Sequence, residues 1–151
     1  FGVEFHAGEK PWGRVKADVY MPCATQNEIG LEDAKRMIEE GTSKLLIEVA
    51  NMPTKAEAVE ELQKAGFMIA PSKAVNAGGV AVSALEMSQN AMKLSWTEEE
   101  VDEKLKKIMK NIFNNIDSAA KKYGMDGNLI AGANIAGFLK VAEAMLDEGI
   151  F

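Results

Sequence analysis

Three asparagines follow three short apolar runs, and together they carry the most specific chemistry in the chain. Ala17-Asp18-Val19-Tyr20-Met21 runs into Pro22-Cys23-Ala24-Thr25-Gln26-Asn27, and Lys44–Val49 runs into Ala50-Asn51-Met52-Pro53. Phe67–Ala70 runs into Pro71-Ser72-Lys73-Ala74-Val75-Asn76, then Ala77-Gly78-Gly79. A carboxamide offers donors and an acceptor without charge, which suits another carboxamide, a ribose hydroxyl or a bound water. In open parallel sheets ligands bind beyond the carboxyl ends of the strands. One loop asparagine is ordinary; three at one rim point to a site. Gly78-Gly79 ahead of a helix exposes backbone N–H groups at its positive end, fit for a carboxylate or phosphate. Ser83, one turn on, either donates to that anion or bonds back to its own helix.

Other chemistries find little support. No two glycines are separated by one residue, so G-x-G-x-x-G does not occur, and Gly132…Gly137 has P-loop spacing but is followed by Phe138-Leu139. Small residues there read as a helix start that packs closely. Cys23 is the one cysteine, which excludes an internal disulfide and suits a reducing compartment, and His6 is the one histidine, which leaves little room for His-based metal sites or triads. Cys23 reads as a buried strand-end thiol and His6 as an exposed turn residue. With 17 basic and 23 acidic residues the net charge is −6, against a nucleic-acid surface. No unbroken apolar run reaches the ~18 residues of a membrane span, so the chain is expected to be soluble and cytoplasmic.

The elements that must hold these loops follow from periodicity. The three apolar runs read as strands. Between them Leu31–Glu40 has helical spacing with Gly41 as its stop. A second helix from Thr54 has the capping-box spacing Thr54…Glu57 and ends near Gly66. Strand–helix alternation with short loops predicts an α/β fold with a short parallel sheet, a βαβαβ part over about 1–76. From about 77 to 151 only helices are expected: Val80–Leu94, a long one capped by Thr97 and Glu100, and one over roughly Ala131–Leu146. The long helix carries an apolar stripe from Val101 to Tyr123, part of which looks for a partner outside this chain.

Six motifs in fixed order then resemble the glutamate dehydrogenases. They are Pro22-Cys-Ala-Thr-Gln-Asn-Glu28, Ala50-Asn-Met-Pro-Thr54, Asn76-Ala-Gly-Gly-Val80, Ser83-Ala-Leu-Glu-Met87, Leu94-Ser-Trp-Thr97 and Gly132-Ala-Asn-Ile-Ala-Gly-Phe138. The likeness is to the C-terminal part of the hexameric, usually NADP-linked microbial type, from Lys10 to Phe151. It implies the second half of a Rossmann-like NAD(P)-binding domain followed by a helical C-terminal segment. It also implies oxidative deamination of L-glutamate to 2-oxoglutarate and ammonium, and the reverse, with NADP or NAD. By resemblance Ala24, Thr25 and Gln26 run along the ribose and nicotinamide side of the cofactor, and Asn51 and Asn76 contact its nicotinamide end. Val80 and Ser83 belong to the amino-acid pocket, Ser83 bonding the distal carboxylate. The catalytic groups and the glycine-rich turn would lie upstream in a missing N-terminal domain, which Phe1 in place of an initiator methionine also suggests. On that reading the piece alone is inactive. The alternative is a non-catalytic nucleotide-binding or assembly module. Two positions depart from the pattern: Val49 and Ser72 stand where glycine is usual.

Overall fold

The computed structural model describes residues 2 and 4–149. Two parallel strands, β1 (Leu45–Ile47) and β2 (Met68–Ala70), pair with Leu46 opposite Ile69. The first expected strand is reduced to a single parallel bridge, Tyr20 to Leu46. Tyr20 N–H donates to Leu45 O at 3.0 Å and Ile47 N–H to Tyr20 O at 2.9 Å, and Pro22, without an N–H, helps to stop the ladder there. Helix α1 (Leu31–Glu40) precedes β1, and α2 (Ala56–Lys64) connects β1 to β2.

Alternation along the strands decides which face meets which helix. Leu46 and Ile69 point to one face and are buried against Ala34 and Met37 of α1 and Ala58 and Leu62 of α2. Full burial of such side chains stabilises by about 1.5–3 kcal/mol each. Gly41 closes α1 as expected: it takes φ 70° and donates to Met37 O at 3.2 Å. Trp12 seals the edge of this core, its ring 6.4 Å from that of Tyr20 in an edge-on arrangement.

The expected cap at Thr54 does not form. Thr54 pairs in extended backbone with Ile29, its hydroxyl is buried without a partner, and α2 begins two residues later behind Lys55. The demand of the neighbouring loop for backbone partners outweighs a local cap worth about 1 kcal/mol.

After β2 the chain is helical: α3 (Ser72–Val75), α4 (Ala77–Met92), α5 (Glu98–Lys122) and α6 (Leu129–Glu148). Thr97 caps α5, accepting from Glu100 N–H while Glu100 accepts from Thr97 N–H at 2.8 Å. Asn128 caps α6 by accepting from Ala131 N–H at 3.0 Å, so that helix starts earlier than Ala131. Gly132 lets α6 approach α5: a Cβ there would sit 2.1 Å from Ile116 O. A second apolar cluster of Ala74, Ile116, Leu129 and Ala133 packs beside Ala70. Among the described helices α6 is long and apolar enough to cross a membrane, with a mean hydropathy of 1.5 over its best window. Asn134, Lys140 and Glu143 interrupt it, so the expectation of no membrane-length segment holds only for unbroken runs.

Candidate functional site at the rim of the sheet

Backbone hydrogen bonds lace together the loops that leave the carboxyl ends of the strands. Val49 and Ala50 N–H both donate to Pro22 O, at 3.2 and 2.9 Å. Further out, Asn27 N–H donates to Met52 O at 2.9 Å and Ile29 N–H to Pro53 O at 2.9 Å. Lys55 N–H returns to Ile29 O at 3.0 Å. The loops carrying Asn27 and Asn51 are therefore one paired unit.

The loop after β2 joins them through a buried carboxylate. Glu48 interrupts the apolar strand sequence and is 6% exposed. Its Oε2 accepts from Ser72 N–H at 3.1 Å, and Ser72 Oγ accepts a long bond of 3.4 Å from Met52 N–H. Asn76 follows one turn later, its N–H on Ser72 O at 2.9 Å. Lys73 donates from Nζ to Asn134 Oδ1, tying the same turn to α6.

Two non-glycine residues in this unit adopt left-handed backbone: Asn27 at φ 57° and Met52 at φ 46°. Asparagine tolerates that region; methionine rarely enters it. Val49 and Ser72 have ordinary φ values, so neither position needs the freedom of a glycine.

Of the residues singled out from the sequence, Ala24, Thr25, Gln26, Asn51, Val80 and Ser83 are exposed and Asn76 is half-buried. Asn27 and Asn51 lie on the laced loops, and Asn76 lies between α3 and α4. Ser83 lies within α4, and its hydroxyl donates to Gly79 O at 3.2 Å, the back-bonded alternative. Gly78 and Gly79 occupy the first turn of α4 behind Asn76, and Gly78 packs near Leu105 and Met109. Cys23 is exposed rather than buried, its thiol donating to Met21 O at 3.2 Å, because the strand has ended before Pro22. His6 is exposed, as expected, and pairs with Glu4 at 3.3 Å.

The rim is an open shelf. An apolar cavity of about 300 Å³ exists on the sheet face towards α5, lined in part by Leu45, Ile47, Met68 and Phe113, but neither the asparagines nor Ser83 line it. Chemically the asparagine side chains present neutral donors and acceptors, so they can orient a ligand. Sequence reasoning passed over Glu48, although a lone acid in KLLIEV was its signal.

A short parallel sheet with loops gathered at its strand ends is the place where open α/β folds bind ligands. The chain belongs to the Glutamate/Leucine/Phenylalanine/Valine dehydrogenase family, whose model matches residues 1–149. It is 56% identical over 151 residues to the NAD-specific glutamate dehydrogenase of Clostridium symbiosum, covering 99% of this chain and 33% of that protein. It is 52% identical over 149 residues to the NADP-specific enzyme of Giardia intestinalis, covering 97% of this chain and 33% of that protein. A solved glutamate dehydrogenase superposes with a TM-score of 0.92 at 56% identity, over 99% of this chain and 33% of that one. Glutamate dehydrogenase 2 of Plasmodium falciparum gives 0.87 at 50% identity, over 93% and 30%. The chain thus spans about a third of the length of the relatives it matches.

Proposed function

We propose that this chain is the C-terminal third of a glutamate dehydrogenase, interconverting L-glutamate with 2-oxoglutarate and ammonium when joined to its upstream domain. It supplies the nicotinamide-side half of the dinucleotide-binding domain and part of the amino-acid pocket. The observation that carries this reading is 56% identity through 151 residues to an enzyme of that name. The pairing of the Asn27 and Asn51 loops supports it physically, since a carboxamide orients a ligand only where the loop that carries it is held.

The nicotinamide cofactor supplies the hydride chemistry. In this reading the chain's own residues position and bind. Ala24, Thr25 and Gln26 border the ribose and nicotinamide side, and the carboxamides of Asn51 and Asn76 hold the nicotinamide end in one orientation. Val80 and Ser83 take the far end of the amino acid, Ser83 exchanging its bond to Gly79 O for one to the distal carboxylate. Relatives named for NAD and for NADP match alike; the resemblance favours NADP, with NAD as the alternative. The partners are the upstream domain of the same polypeptide and a homo-hexamer, in the cytoplasm, without nucleic acid or membrane.

The full-length enzyme is the test. Glutamate-dependent reduction of NADP⁺ or NAD⁺, and 2-oxoglutarate- and ammonium-dependent oxidation of the reduced form, are expected. Failure with both cofactors would overturn the reading.

A further inference from the structure

We infer that Ser72, held by the buried carboxylate of Glu48, is a positioning residue for the Asn51–Met52 loop and tightens cofactor binding there. The inference rests on the function proposed above. Met52 takes φ 46°, a conformation that a bulky side chain keeps only when its surroundings impose it. Its side chain, 53% exposed, imposes little of this. The backbone does so from both sides. Asn27 N–H donates to Met52 O at 2.9 Å, and Met52 N–H donates to Ser72 Oγ at 3.4 Å.

Ser72 is itself fixed. It is 7% exposed, and its N–H meets Glu48 Oε2 at 3.1 Å. The direction of the Asn51 carboxamide depends on the torsions around the Asn51–Met52 peptide, so a hydroxyl on the Met52 N–H acts on Asn51 without touching a ligand. Glycine at position 72, usual in the resembling pattern, has no hydroxyl for this. The serine is an additional clamp.

The test uses the full-length enzyme, with the reduced cofactor as probe. S72A and S72G should each raise its dissociation constant about three- to tenfold, the worth of one neutral hydrogen bond. S72T should restore it. E48Q, whose side-chain oxygen still accepts from Ser72 N–H, should bind nearly as wild type does. KM for glutamate and the melting temperature should stay close to wild type in all four. Two outcomes overturn the inference: S72A and S72G binding as tightly as wild type, or an affinity loss matched by equal losses in glutamate KM and melting temperature. Absence of cofactor binding in the wild type would instead sink the proposed function itself.

Discussion

Asn27 N–H and Met52 O stand 2.9 Å apart, and this bond joins two loops separated by a helix and a strand. Neither residue belongs to a regular element, yet both take left-handed backbone on either side of the contact. The rim is thus built by loop pairing that resumes in the parallel direction past the strands, at Ile29 and Thr54. Backbone hydrogen bonds hold it, although the side chains of Ala24, Thr25, Gln26 and Asn51 are exposed.

Ser83 gives the most direct test of the amino-acid pocket. In the full-length enzyme Ser83→Ala should raise KM for glutamate. A lost hydrogen bond to a charged group costs about 1.5–3 kcal/mol, a factor of roughly 10–150. The back-bond to Gly79 O is weak support for the helix, so melting should barely move. Steady-state kinetics with unchanged KM and kcat would remove Ser83 from the pocket.

Gly132 should not tolerate alanine. The added methyl would meet Ile116 O at 2.1 Å and the Ala120 side chain at 3.0 Å, on a backbone that cannot step aside. Alanine gains about 1 kcal/mol in helix propensity, but overpacking of this kind costs about 1–3 kcal/mol. Denaturant titration should show net destabilisation, whereas Gly137→Ala, with open space around it, should be neutral or stabilising.

Tyr20 predicts an alkaline limit. Burial first, then its hydrogen bond to Glu40 at 3.0 Å, push the phenol from 10.0 up to about 12. The unfolded chain therefore loses this proton before the folded one does. The contribution is whole below pH 10 and is lost between about pH 10 and 12, with a slope of about 1.4 kcal/mol per pH unit. Stability curves of wild type and Tyr20→Phe across that window should converge as pH rises; parallel curves would count against the assignment.

Cys23 is exposed, so a maleimide should label the native chain at one site without denaturant. Because it adjoins Ala24, Thr25 and Gln26, saturating cofactor should slow labelling of the full-length enzyme. Labelling that requires unfolding would contradict the exposed placement.

What the residues revealed in advance was local. Helices α1 and α5 carry their own stop and start signals in Gly41 and in Thr97 with Glu100, and both form as expected. The α/β class and the two loops that carry Asn27 and Asn51 were also legible, because strand ends and loop composition are short-range features, whereas the stretch leading to Asn76 folds as α3. The misreadings lie where distant chain segments compete. Thr54 has a capping spacing, but Ile29 claims its backbone. Ala17–Met21 has strand composition, yet only Tyr20 finds a bridge. In Asn51-Met52 any conformational preference would place the left-handed residue at asparagine; the bonds from Asn27 and Ser72 shift it to methionine.

Helix α6 leaves Phe138, Val141, Met145 and Leu146 between 60 and 76% exposed. A greasy ridge of that kind favours self-association and takes up environment-sensitive dyes. Handled by itself at high concentration, the polypeptide should clump first along this ridge, and mild detergent should keep it dispersed.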